Sequence, residues 1–216
     1  MHQTIQNLIN IENKIKQNSE FFDKINIIAV SKTFSVDKII PLIDYGHNHF
    51  GENKVQEAIE KWTKIKKEKE KIELHLIGKL QTNKVKHAVN IFDYIHSLDS
   101  IKLAKKISEE EIKQSKKVKI FIQVNIANEV QKAGVQINKL NELYQFSIDL
   151  NLNIIGLMCI PPGSENPEKY FKDLKRISDE LGLKDLSMGM SSDYLLAIKN
   201  QATFIRVGSE IFGNRN

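Results

Sequence analysis

Short apolar runs recur along the chain, and between them lie stretches in which apolar residues return every three or four positions. The short runs read as buried strands, at 27–30, 48–51, 73–77, 93–97, 119–125, 153–159, 185–188 and 204–207. The stretches between them read as amphipathic helices, with one face carrying Val36, Ile39, Ile40 and Ile43, the next Val55, Ala58, Ile59 and Trp62, and a later one Leu140, Leu143, Tyr144 and Ile148. A further helix is expected at 5–20, ahead of the first strand, with Ile5, Leu8, Ile9 and Ile15 along one side. Strands separated by whole helices pair in parallel, because antiparallel neighbours need only a tight turn between them. Eight such units without a Gly/Pro/Ser-rich linker predict the α/β class and a single (β/α)8 TIM barrel domain over 1–216, with the extra N-terminal helix. An open doubly wound sheet is the alternative. Its Gly-x-Gly-x-x-Gly turn after the first strand is absent, and the chain there reads Ser31-Lys32-Thr33-Phe34.

Composition narrows the function without changing the fold. A chain of 216 residues with 41% apolar residues can bury a full core. The net charge of +5 comes from lysine runs at 61–71 and 113–119, which alternate with glutamate and isoleucine and so read as solvated helix faces rather than a nucleic-acid stripe. The lone cysteine, Cys159, lies within an apolar run, which excludes an internal disulfide, suits a reducing cytosol and points to packing. No run is long enough to span a bilayer, and the first residues lack the basic flank and apolar core of an export signal, so a cytoplasmic protein is expected.

In a barrel the chemistry sits at the C-terminal ends of the strands, and Lys32 falls at the first of these. An amine at a strand mouth beside apolar walls loses hydration, which favours the neutral form that attacks an aldehyde. A lysine is by itself more often a surface charge, and there are 29 here. The last strand end adds weight: Arg206-Val207-Gly208-Ser209 leads an alternating strand into a short helix, gathering backbone N–H groups and a hydroxyl as a phosphate would require. Strand seven ends in a similar small-residue turn, Met188-Gly189-Met190-Ser191-Ser192-Asp193. Ordinary helix capping explains either turn alone. Arg206 is one of three arginines in a chain that otherwise uses lysine, so its strand position suggests a need for a planar, permanent cation or an interior salt bridge.

Several segments together, Ala29-Val30-Ser31-Lys32-Thr33, Phe50-Gly51-Glu52-Asn53, His75-Leu76-Ile77-Gly78, Leu80-Gln81-Thr82-Asn83-Lys84, Met188-Gly189-Met190-Ser191 and Arg206 to Gly213, resemble the pyridoxal phosphate homeostasis protein family. The resemblance implies a barrel like the N-terminal domain of alanine racemase, with pyridoxal 5′-phosphate (PLP) as cofactor. It implies that Lys32 forms a Schiff base with the PLP aldehyde and that Arg206 faces the pyridine nitrogen. Ser191, Gly208 and Ser209 would hold the phosphate, and Asn53 would line the ring. His75 also matches the pattern. Two positions depart from it, with Ser209 in place of a frequent threonine and Lys79 in place of a frequent proline.

PLP enzymes draw electrons into a protonated pyridinium, which an aspartate partner favours and an arginine does not. In alanine racemase an opposing tyrosine comes from a second domain, and the present chain reaches Asn216 just after its eighth unit. The expected function is therefore PLP homeostasis without amino-acid turnover, in a monomer whose partners are PLP and PLP-requiring apoenzymes and neither nucleic acid nor membrane. A racemase or lyase using His75 or a partner's tyrosine, and an aldolase using Glu52 as acid, are the alternatives.

Overall fold

The computed structural model describes residues 1–129 and 131–213; Val130 and the stretch that reaches Asn216 lie outside them. Eight parallel strands close into a barrel in sequence order, β1 (Asn26–Val30), β2 (His49–Glu52), β3 (Glu73–Leu76), β4 (Tyr94–Leu98), β5 (Lys119–Gln123), β6 (Asn153–Met158), β7 (Asp185–Met190) and β8 (Phe204–Val207). The expected strands all form, with ends that differ by at most two residues. Closure is made by β1 against β8, with Ile28 opposite Arg206 and Ala29 opposite Val207.

Helix α1 (Gln3–Asn18) precedes the barrel, and α2 (Val36–Tyr45), α3 (Val55–Glu68), α4 (Val85–Ile91), α5 (Ile101–Gln114), α6 (Ile137–Asp149), α7 (Glu168–Glu180), α8 (Tyr194–Lys199) and α9 (Ser209–Phe212) follow successive strands. α1 buries Thr4, Leu8, Ile11 and Ile15, so of the expected face Leu8 and Ile15 point inward while Ile5 and Ile9 lie at its half-buried edge. It also secures the last unit of the barrel: Asn7 Nδ2 donates to the Ile211 carbonyl at 2.9 Å, and Lys14 pairs with Glu210 at 2.6 Å.

Two apolar layers result. The outer one packs the helices' inner faces, including Ile39, Leu42, Trp62, Val89, Leu103 and Phe171, against the barrel wall. The inner one fills the barrel with Ile28, Val30, Tyr94, Phe121, Met158 and Phe204. Burying each such large side chain contributes roughly 1.5–3 kcal/mol.

Most lysines of the two runs, Lys64, Lys67, Lys69, Lys71, Lys113 and Lys117 among them, are exposed as expected, but a few are tied to the barrel. Lys61 is nearly enclosed, with 8% of its side chain exposed, and pairs with the fully buried Glu52. Lys66 pairs with Asp93. Lys116 Nζ donates to the carbonyls of Asn90 and Phe92, and Lys117 Nζ to that of Asn151, so these long side chains satisfy backbone acceptors at the base of the barrel. Among the described residues no helix is long and apolar enough to cross a membrane.

Candidate functional site

At the C-terminal ends of the strands a cavity of about 810 Å³ opens, and Lys32, Asn53, Ser191, Arg206, Gly208 and Ser209 all line it. These six positions come from four strand ends. Val30, Phe34, Ile77, Ile160 and Met190 supply its apolar walls. Volume and lining match those of pockets that enclose a small organic molecule with a few polar anchors.

The loop bearing Lys32 is held from both sides. Ser31 donates its N–H to the Gly51 carbonyl at 3.0 Å and its hydroxyl to Glu52 Oε1 at 2.7 Å. Lys61 Nζ, at the far side of α3's first turns, donates to the Ser31 carbonyl at 2.9 Å and to Glu52 Oε1 at 2.8 Å, and Trp62 Nε1 reaches the same oxygen at 3.0 Å. Thr33 has φ 69°, a left-handed conformation unusual for a β-branched residue. Its N–H donates to Glu57 Oε1 at 2.6 Å. Burial pushes the Glu57 pKa upward, but the Thr33 N–H and the Lys61 ammonium outweigh it and leave the carboxyl below its usual value. Lys32 therefore sits between two anchored neighbours in a backbone held against its own preference.

Asn53 is placed by the loop after β3. A methyl group on Gly78 would lie 2.3 Å from the Asn53 carbonyl oxygen, so only glycine lets that loop lie against it. Lys79 is exposed and is not among the lining residues.

The end of β7, where the chain turns toward α8, depends on Gly189, with φ +89°. Register with β8 shifts between Ser187 and Met190, and the turn closes with Met190 N–H on Asp193 Oδ1 at 2.6 Å. Ser191 Oγ then lies 3.4 Å from the Gly208 N–H that points to it. A Cβ at position 189 would meet the Ala197 Cβ at 2.6 Å. Gly189→Ala is expected to destabilise the protein by about 1–3 kcal/mol through left-handed strain and overpacking, measurable as a lowered urea midpoint.

Arg206 rises from β8 into the cavity floor with 5% of its surface exposed. Its NH1 donates to Ser187 Oγ at 2.7 Å and its NH2 to the Cys159 carbonyl at 2.9 Å. Burial lowers its pKa from the usual value. Both acceptors are neutral, and among the described residues no carboxylate forms an ion pair with the guanidinium, so the interior salt bridge is not what holds it. Its further N–H donors suit an acceptor atom on a molecule bound in the cavity. Cys159 packs as expected, its thiol pushed up to about 12 by burial.

Two alternative roles are corrected by position. His75 lies beneath the cavity, fully buried, with its two ring nitrogens at 3.0 Å from His49 and 2.9 Å from His96, so it has no nitrogen to exchange a proton with a bound molecule. Glu52 lies behind the Lys32 loop and does not line the cavity, its Oε1 taken by Ser31, Lys61 and Trp62. Ser187, which sets Arg206, was not legible from the pattern; a single small polar residue within an apolar strand is a weak signal.

Comparison with known proteins gives the family and the fold. The family model described as alanine racemase, N-terminal domain, matches residues 6–216. The pyridoxal phosphate homeostasis protein of Aquifex aeolicus is 39% identical over 199 residues, covering 88% of this chain and 86% of the relative. PipY of Synechococcus elongatus, solved with and without PLP, is 34% identical and superposes with TM-scores of 0.86 and 0.88, covering 98% of this chain and all of PipY. An alanine racemase of Clostridium difficile shares the fold at 17% identity and a TM-score of 0.74, this chain spanning 57% of its length.

Proposed function

The chain belongs to the pyridoxal phosphate homeostasis proteins, built on the alanine racemase N-terminal domain, and from that premise we propose that its cavity holds PLP on Lys32 as a store that is bound and given up without amino-acid turnover. The observation that carries this reading is the convergence of an anchored primary amine, a buried guanidinium without an anionic partner and two serine hydroxyls on one cavity. The donor set fits the molecule: an aldehyde for the amine, a ring nitrogen for Arg206, and a phosphate for Ser191, Ser209 and the Gly208 N–H, with Asn53 along the ring.

Lys32 would hold PLP through its amine, whose Nζ can condense with the aldehyde carbon as the aldehyde oxygen is lost as water. When bound, PLP supplies an electron sink whose strength depends on a proton at the ring nitrogen. Arg206 cannot give up or share a proton as a carboxylic acid does, so the ring stays a weak sink. Among the described residues, those that line the cavity include no carboxylate, imidazole or phenol. A store rather than a racemase is the reading this lining supports, and PLP-requiring apoenzymes in the cytosol are the recipients it implies.

The test is to load the purified protein with PLP, record its visible absorption, and reduce it with borohydride. One equivalent fixed to the peptide containing Lys32, and no turnover across the common amino acids, is the expected result. A protein that stays colourless, or a label on another lysine, overturns the assignment.

A further inference from the structure

Behind Arg206 a line of polar side chains crosses the apolar interior of the barrel. His49 Nδ1 lies 3.0 Å from His75 Nε2, His75 Nδ1 lies 2.9 Å from His96 Nε2, and His96 Nδ1 lies 2.8 Å from Ser187 Oγ, which accepts from Arg206 NH1. The line begins at the N-terminal end of β2, climbs through β3 and β4, then spans the barrel to β7 and β8. His75, His96 and Ser187 are all fully buried. His75 stacks on Tyr94 with centroids 4.1 Å apart, and His96 on Phe121 at 4.4 Å, so neither ring can turn without displacing an aromatic neighbour.

The direction of every hydrogen bond in the line follows from its last member. Arginine has five N–H donors and no acceptor, so Ser187 Oγ must accept from it. A serine oxygen can accept twice, but among the described residues Ser187 Oγ has only these two partners, so its buried proton stays paired only when directed to His96 Nδ1. A neutral His96 with Nδ1 accepting carries its proton on Nε2 and donates to His75 Nδ1. The same step repeats from His75 Nε2 to His49 Nδ1. With the protons so placed, an added proton at His75 Nδ1 would face the His96 Nε2–H and one at His96 Nδ1 would face the Ser187 O–H, so this arrangement requires both rings to be neutral. Burial, reinforced at His96 by Arg206, keeps both rings well below the usual histidine pKa.

We infer that Ser187, His96 and His75 are positioning residues for Arg206, forming a one-way hydrogen-bond chain in which His49, His75 and His96 all carry their proton on Nε2. The positioning role rests on the reading that PLP occupies the cavity; the direction of the chain does not. The chain orients and polarises the guanidinium but carries no proton to the cavity, because a proton moving along it stops at Ser187 below a group that cannot accept one. Arg206 is thereby fixed from behind, leaving its remaining donors for whatever fills the cavity.

Nitrogen-15 NMR of the histidine rings tests the chain, with the six histidines assigned by single substitutions such as His96→Gln. At neutral pH the expected result is a protonated Nε2 and a bare Nδ1 at His49, His75 and His96. Ser187→Ala should free His96 Nδ1 and let that ring exchange tautomers. The same variant, loaded with PLP and followed by visible absorption after dilution, should lose the cofactor about tenfold faster, the effect of one strong hydrogen bond on orientation. An Nδ1–H tautomer or a cationic ring at His75 or His96 in the wild type overturns the chain, whether or not Ser187→Ala folds. Correct tautomers with unchanged PLP loss in Ser187→Ala overturn the positioning role. A wild type that takes up no PLP overturns the proposed function instead, while its ring tautomers still decide the chain.

Discussion

Acidification from about pH 7 to about pH 5 is expected to unfold this protein, well above the range in which carboxylates usually drive acid denaturation. The cause is four histidines held neutral in the fold. Burial pushes His47 and His49 down to about 4, and it carries His75 and His96 well below the usual value. Each titrates near pH 6.5 once unfolded. The unfolded chain therefore binds more protons, and stability is fully present above about pH 6.5 and drains away as pH falls toward the folded values. Each histidine contributes a slope of about 1.4 kcal/mol per pH unit, and four together on the order of 5, against a typical total of about 5–15. His47 and His49 keep some surface exposed, so the enclosed His75 and His96 carry the larger share. Urea titrations at a series of pH values, read by the fluorescence of the single buried Trp62, give the slope directly. A stability that is flat between about pH 7.5 and 5 would contradict the neutral-histidine interior.

Replacing Lys61 by methionine is expected to cost about 3–5 kcal/mol, because it leaves the Glu52 carboxylate buried without a cation. Glu52 is fully enclosed, and its Oε2 already has no hydrogen-bond partner, so no second contact can take over. The reverse deletion should be milder. In Glu52→Gln the ammonium keeps Glu57 at 3.1 Å and the Ser31 carbonyl at 2.9 Å, while the glutamine oxygen still accepts from Ser31 and Trp62. The double variant Lys61→Met/Glu52→Gln should recover much of the loss, since it removes both charges. Urea midpoints of the four proteins form the cycle. The Lys61 variant should also fix less PLP by borohydride, because the Ser31 carbonyl next to Lys32 loses its donor.

Eight strands were legible because short apolar runs bounded by helical periodicity leave little else for a chain to form. The faces of those strands were not. A parallel barrel buries both sides of each strand, so no alternation separates interior from exterior. His49, His75 and His96 thus read as isolated histidines among apolar neighbours, although the closed sheet brings them into line. Lys32 and Arg206 were legible because strand-end position has chemical meaning in this architecture. The supports of Lys32 were not, since Lys61 looks like any member of a lysine run until α3 folds back over Glu52 and Ser31.

The pairing of β1 with β8 has a consequence for biosynthesis. Lys32 follows the first strand and Arg206 to Ser209 lie on and just after the eighth, so the amine and the residues proposed to face the ring nitrogen and phosphate come from opposite ends of the described chain and meet only across that seam. A polypeptide emerging from the ribosome exposes the lysine early and has no pocket for it until the last strand docks. Contacts at such long sequence separation form late and slowly. A molecule that bridges the seam binds only the closed barrel, and by mass action it fastens the final step of folding.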